Sequence, residues 1–301
     1  MSDYTIHTLD HHFLNAPEVI ATYAIINAKN VALVETGPAS TLNTILESLR
    51  ALGVQPHDVR DVLVTHIHFD HAGAAWWWAQ QGATIHVHPN GAPHLIDPSK
   101  LIASATRLYK DQMDTLWGKI EPIPANQVHI VNDGDTVEAA GAIITAIDSP
   151  GHAKHHHCYQ LGDAAFTGDV SGAHLPDFDW IAIPAPPPEF DLEAWEATVK
   201  KLATFNFKTI YPTHYGAIQN PNEHFAKLLP LVRACAEFVR DRMNEGLTRD
   251  QIVPIYMEWN AQRCTAHDRE RNAVERYMGA NNQDLSVDGM MRYWTKKGIS
   301  N

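Results

Sequence analysis

Four metal-competent side chains fall within residues 66 to 71, in the run Thr65-His66-Ile67-His68-Phe69-Asp70-His71, directly after the strand-like Asp61-Val62-Leu63-Val64. In an extended backbone, side chains two apart point to the same side, so His66 and His68 could bind one ion as two legs of a chelate. Asp70 and His71 follow, and then Ala72-Gly73-Ala74-Ala75, small residues suited to a tightly packed helix start. The strand would end at the site and the next helix would carry the second pair of ligands. Neutral imidazole and carboxylate are ligands that zinc prefers. A lone His is usually a surface or satisfied core residue, but four candidates at this spacing at a strand end are harder to dismiss.

The run resembles the T-H-x-H-x-D-H signature of the metallo-β-lactamase superfamily, and that family's later landmarks are also present in order: Ser149-Pro150-Gly151-His152, Phe166-Thr167-Gly168-Asp169 and Pro212-Thr213-His214. Ala32-Leu33-Val34-Glu35-Thr36-Gly37 looks like its early strand and turn. The resemblance covers about residues 4 to 220. It implies an α/β fold, a four-layer αββα sandwich with the ligand-bearing strand ends along one edge. Carried over residue by residue, it implies that His66, His68 and His152 hold one metal, that Asp70, His71 and His214 hold the other, and that Asp169 bridges them. Two Zn ions are the first expectation, with Fe or Mn compatible with the same ligand types.

The chemistry that follows is hydrolysis. Two cations lower the pKa of a shared water toward roughly 7, so a metal-bridging hydroxide forms without a strong protein base. Asp70 is the expected catalytic carboxylate, passing a proton to the leaving group. His68 stands where the flavodiiron branch has a carboxylate, and Asp169 where antibiotic-hydrolysing zinc enzymes often have Cys. The resemblance therefore points to a glyoxalase-II-like or lactonase-like hydrolase of a small ester, thioester or lactone. A phosphodiesterase or a mono-iron sulfur dioxygenase of the same fold is the alternative enzyme, and a non-catalytic metal-binding scaffold the alternative of another class. His156, four after His152, matches a His that often supports a ligand in this family, or else faces solvent with His155 and His157. Tyr215 could stabilise an oxyanion or simply pack. Trp117, Phe178 and Trp180, with Ile181 and Ile183, could supply an apolar wall.

The 23 Lys and Arg against 35 Asp and Glu leave a net charge of −12. Such a balance argues against nucleic acid and anionic membranes as partners and favours a small-molecule acyl substrate. Cys158, Cys235 and Cys264 are far apart, with no C-x-x-C, so neither a thiol zinc site nor a disulfide framework is indicated. The N-terminus lacks a signal pattern and no apolar run is long enough to span a bilayer, so a cytoplasmic location is expected.

The elements that must position these ligands can be read coarsely. Residues 4 to 35 read as three short strands. Ser40 or Thr41 can cap a helix to Leu52, with Leu42, Ile45, Leu46, Leu49 and Leu52 facing a sheet. Ala74 to Gln81 should be helical, and its Trp76, Trp77 and Trp78 fan too widely to face one core. Residues 89 to 125 resemble a helical insertion, with one helix from Ser99 to Trp117, and together with the loop at 176 to 190 they are expected to wall and cover the cleft. Val128 to Val131 and Ala142 to Ile147 read as strands around a turn at Asp133-Gly134-Asp135, followed by a hairpin through Gly162-Asp163. A helix over 192 to 205 and a strand at 209 to 211 complete a catalytic domain of residues 1–220. Residues 221–301 read as a helical appendage, with Asn222 and Thr248 as caps and helices near 267 to 279 and 286 to 297. It could bind substrate or serve assembly, as in a homodimer.

Overall fold

A computed structural model describes residues 4–28, 30–175, 180–263 and 283–299. The chain divides into two compact units: Met1–Asp148 with His155–Gly168, and Ser149–Lys154 with Asp169–Asn301.

The first unit is built on two sheets. One has the order β1 (Thr5–Asp10), β2 (Ala21–Asn27), β3 (Asn30–Val34), β4 (Val59–Leu63), β5 (Thr84–Val87), β6 (Val128–Ile130). Its first three strands pair antiparallel, as short connections allow, and β3 to β6 run parallel through helical crossovers. The helices α1 (Leu42–Ala51) and α3 (Ala75–Gln80) bring Ile45, Leu49 and Trp78 against Leu33, Val62, Val64, Ile85 and Val87 in one buried core. Trp78 is fully buried while Trp76 and Trp77 are half-buried, as the fan of three adjacent side chains requires. Between the crossovers lie α2 (Phe69–Ala72), α4 (Ala92–Ile96), α5 (Ser99–Tyr109) and α6 (Met113–Leu116). The second sheet of this unit runs β10 (Ala164–Phe166), β9 (His157–Leu161), β8 (Ala142–Asp148), β7 (Thr136–Ala139), all antiparallel. Its Phe166 ring lies 5.4 Å from Tyr23, and Tyr159 donates its hydroxyl to Val64 O at 3.2 Å, which joins the two sheets directly beneath the His66 strand end.

Several local expectations change. Val128–Ile130 and Ala142–Asp148 do not form one hairpin: they lie in different sheets, and β7 supplies the true antiparallel neighbour of β8. The helix expected from Ser99 to Trp117 breaks where Lys110 takes φ 50°, a left-handed conformation that ends α5. Leu52 is 39% exposed because it stands past the last turn of α1 rather than on its buried stripe. Thr41 occupies the N-cap position, but its hydroxyl donates to Pro38 O and meets His11 Nδ1 at 2.7 Å instead of capping.

The second unit carries the short pair β11 (Ala173–His174) and β12 (Ile181–Ala182), then α7 (Leu192–Ala203), β13 (Thr209–Tyr211), α8 (Pro221–Asn244), α9 (Arg249–Gln262) and α10 (Asp284–Lys296). Asn220 rather than Asn222 stands at the N-cap of α8, because Pro221 suits a first helical position. Thr248 and Gln251 form the capping box of α9. Arg233 of α8 grips Glu196 of α7 with two contacts of 2.6 and 2.7 Å, and Tyr293 of α10 donates to Glu193 of α7 at 2.6 Å. The helix expected near 267 to 279 lies outside the described residues. No helix among the described residues is long and apolar enough to cross a membrane.

Candidate metal centre

In the first unit, β4 ends and α2 begins around the expected ligands. His66 and His71 are fully buried, while His68 and Asp70 are half-buried. His66 Nε2 and His68 Nδ1 lie 2.9 Å apart, so the two imidazoles do converge as their spacing predicts. Beneath them sits Glu35, fully buried, with φ 68°. Its carboxylate accepts the Thr65 N–H at 3.1 Å and the Thr65 hydroxyl, and it lies 2.9 Å from His71 Nδ1. A carboxylate that close takes the proton on Nδ1, which leaves the His71 Nε2 lone pair outward. That lone pair stands 3.7 Å from Asp70 Oδ2. Two acceptors facing each other repel unless a proton or cation lies between them.

The turn after Glu35 locks the start of the ligand helix. Thr36 N and its hydroxyl both donate to His71 O, at 2.7 and 2.9 Å, and Ala74 N donates to Gly37 O at 3.0 Å. Gly37 needs its φ of 64°, and a Cβ there would run into the His11 imidazole. His11 is itself held between Thr22 and Thr41 at 2.8 and 2.7 Å. His156 is buried rather than solvent-facing, and its ring stacks on His66 with centroids 5.0 Å apart. His155 and His157 are buried too, so the outward-facing reading of all three is corrected. Trp117 packs against Phe69 at 6.2 Å and Tyr109 at 5.0 Å, which brings the 89–125 segment alongside the ligand run. Burial, and then the negative charge of Asp70, push the Tyr109 phenol above its usual range, so it stays a neutral O–H.

In the second unit, His152, Asp169 and His214 come together, all buried. His152 Nδ1 lies 2.7 Å from Pro184 O and must donate to it, so its Nε2 carries the lone pair. That atom is 3.5 Å from Asp169 Oδ2, and His214 Nε2 is 3.5 Å from Asp169 Oδ1. Each carboxylate oxygen thus faces a different imidazole. The separation is long for a hydrogen bond, and it is about what two ligands sharing an ion with bonds of roughly 2.0–2.2 Å would show. Trp195 of α7 holds both ligand loops. Its indole donates to Val170 O at 2.7 Å, its ring meets His152 edge-on at 5.9 Å, and its backbone fills the space where a Cβ on Gly151 would sit. The His174 N–H donates to His214 O at 2.6 Å.

Tyr215 is half-buried beside His214. Trp180 is buried and donates its indole N–H to Asn260 O at 3.2 Å, so that ring is committed to α9. Phe178 lies outside the described residues. Sequence reasoning missed the roles of Glu35, His11, Tyr109 and Trp195. Only Glu35 carried a local signal, as a carboxylate at a strand end beside the Thr-Gly turn.

His88, Asp148 and His157 also come within ligating distance of one another. His88, however, accepts the Asn90 N–H on Nδ1 at 2.9 Å, so its Nε2 carries the proton that Asp148 accepts at 3.1 Å. No lone pair of His88 is left for an ion. Burial, and then the neighbouring His157, lower the His88 pKa, and burial lowers that of His157.

A family model described as the metallo-beta-lactamase superfamily matches residues 16–214. The chain is 27% identical over 290 residues to an atrochrysone carboxyl ACP thioesterase from Pseudocercospora fijiensis, covering 92% of this chain and 73% of that protein. It is 23% identical over 232 residues to a metallo-beta-lactamase fold-containing protein from Sulfurisphaera tokodaii, covering 74% and 84%. Among solved structures, a metallo-beta-lactamase family protein from Thermus thermophilus matches with a TM-score of 0.70 at 19% identity, over 99% of this chain and 95% of that one. That likeness is one of fold: mixed sheets flanked by helices, in the α/β class.

Proposed function

The chain belongs to the metallo-β-lactamase superfamily, and from that premise we propose a metal-dependent hydrolase of small esters, thioesters or lactones. The observation that carries the reading is Asp169, one of whose oxygens faces the lone pair on His152 Nε2 and the other His214 Nε2, each at 3.5 Å. A buried set of that kind fits divalent cations and little else. His66, His68 and His152 would hold one ion, Asp70, His71 and His214 the other, with Asp169 shared and Zn at both positions. Bound there, the ions would supply Lewis acidity, polarising the acyl carbonyl and making water a nucleophile near neutral pH.

The remaining steps belong to this chain's own side chains. Glu35 holds the His71 proton on Nδ1, so Nε2 stays a donor of its lone pair. Asp70, half-buried and therefore reachable, receives the proton of the attacking water and returns it to the leaving oxygen or sulfur. Trp117 and Phe69 exclude water on the Asp70 side, and the neutral Tyr109 O–H is a donor near that carboxylate. The thioesterase name of one relative favours thioesters within the acyl class. A glyoxalase-II-like or lactonase-like type fits this chemistry, with a small acyl substrate and no nucleic acid or membrane as partner, and the C-terminal helices free to form a homodimer.

Assaying the zinc-loaded protein on a panel of ester, thioester, lactone and phosphodiester substrates tests the reading. Acyl turnover should exceed phosphodiester cleavage by orders of magnitude. Efficient cleavage of a phosphodiester, with inertness toward every acyl substrate, would reject it, and inertness toward the whole panel would favour a metal-binding scaffold.

A further inference from the structure

Asp61, His86 and His129 stand on three neighbouring parallel strands, β4, β5 and β6. The register sets His86 directly opposite His129, and sets Asp61 opposite Thr84, two residues before His86 and therefore on the same face. His86 Nε2 is 2.8 Å from Asp61 Oδ1, and His86 Nδ1 is 2.9 Å from His129 Nδ1. The two rings meet edge to face, with centroids 5.0 Å apart. His86 is 5% exposed and His129 is exposed, so the pair is rigid on one side and open to water on the other.

The protons can be assigned. A carboxylate oxygen accepts, so His86 carries its hydrogen on Nε2 and its lone pair on Nδ1. In the ion-free chain His129 Nδ1 donates its hydrogen to His86 Nδ1, and a binding ion would shift that hydrogen to Nε2, on the exposed ring, leaving Nδ1 as a second lone pair. Nitrogens bound side by side to one ion at roughly 2.0–2.1 Å lie about 3 Å apart, which is the separation found. The arrangement carboxylate, imidazole, open lone pair is the one in which an outer carboxylate orients a ligating His. His88 differs in this respect, because its lone pair is spent on the Asn90 N–H.

We propose that His86 and His129 form a further divalent transition-metal site, with both Nδ1 atoms as ligands, Asp61 fixing the His86 tautomer and water completing the shell. Two imidazoles side by side suit Cu2+ or Ni2+ most closely, and Zn2+ less tightly than Cu2+. None of the three residues belongs to the hydrolytic set, so the site stands or falls independently of the proposed activity. Its position on the β6 edge of the sheet opens it to free metal ions in solution.

The test loads the full chain with Zn2+ at the main centre and then titrates Cu2+ alone. The wild type should take up one more Cu2+ than His129→Ala, with nitrogen hyperfine coupling from two imidazoles that the variant lacks. Asp61→Asn should keep that Cu2+ but bind it about 10–100-fold more weakly, since it retains both ligands and loses the orienting carboxylate. His129 is exposed, so His129→Ala should fold as the wild type does, checked by its thermal unfolding. Equal Cu2+ uptake and identical spectra for wild type and His129→Ala would overturn the site. Unchanged Cu2+ affinity in Asp61→Asn would overturn the proton assignment on which it rests.

Discussion

Glu35→Gln separates the support of a ligand from the ligand itself. The Glu35 carboxylate takes three donors with two oxygens: Thr65 Oγ1 and His71 Nδ1 at Oε1, and Thr65 N at Oε2. An amide has one acceptor oxygen. With that oxygen turned to His71, its NH2 faces the Thr65 N–H, and a fully buried hydrogen bond is lost. Leaving such a donor unpaired costs about 1–3 kcal/mol of stability. Turned the other way, the NH2 faces His71 Nδ1 and forces the His71 proton onto Nε2, where it competes with the ion. Either way His71 is a poorer ligand, and removing such an outer partner typically lowers metal affinity 10–100-fold, about 1.4–2.7 kcal/mol. Competition against a chromophoric chelator reads the affinity, and thermal unfolding of the stripped protein reads the stability. A folded variant whose zinc affinity stays within about twofold of wild type would refute the assigned role of Glu35.

Other outcomes follow from the same geometry. Protein purified without chelator should hold two metal ions per chain, counted by elemental analysis, and should release them in acid as the His ligands protonate; one ion that does not become two on adding zinc would contradict the shared Asp169. Asp70→Asn should keep its thermal transition and lose turnover by about 10²–10⁴-fold, and near-normal activity with full metal would remove Asp70 from the proton path. Gly151→Ala should cost at least roughly 2 kcal/mol in denaturant unfolding, because φ is 138° and the new methyl meets the Trp195 backbone, whereas a wild-type midpoint would show that the two segments part easily. Burial, and then His224, lower the His174 pKa from 6.5 to about 4, so the folded state resists its protonation. Its stabilising share is complete above pH 6.5 and is lost as pH falls toward 4, at about 1.4 kcal/mol per unit, so up to ~3 kcal/mol. Stripped His174→Asn should show a correspondingly flatter stability profile over that window in urea titrations at stepped pH.

What the chain order alone determined is the chemistry of the ligands. His66 to His71 are consecutive in sequence, and a strand end followed by a helix start needs only local backbone geometry to bring them together. The later Pro-Gly-His, Gly-Asp and Thr-His landmarks are local in the same sense, and so were the hairpin through Gly162, the α1 stripe at Ile45 and Leu49, and the Thr248 cap. Tertiary structure decided what holds them. Glu35 reaches His71, His11 fills the space at Gly37, and Trp195 joins Gly151 to Val170, each across a stretch of chain whose pairing no periodicity encodes. The same holds for β7, which lies unassigned between the two expected strands until β8 completes its hydrogen bonds, and for Asp61, His86 and His129, which meet only because three parallel strands stand in register. Side-chain spacing along a strand or helix is a property of the backbone. Which carboxylate ends beneath which imidazole is set by packing among segments far apart in the chain, where burial makes every donor find an acceptor.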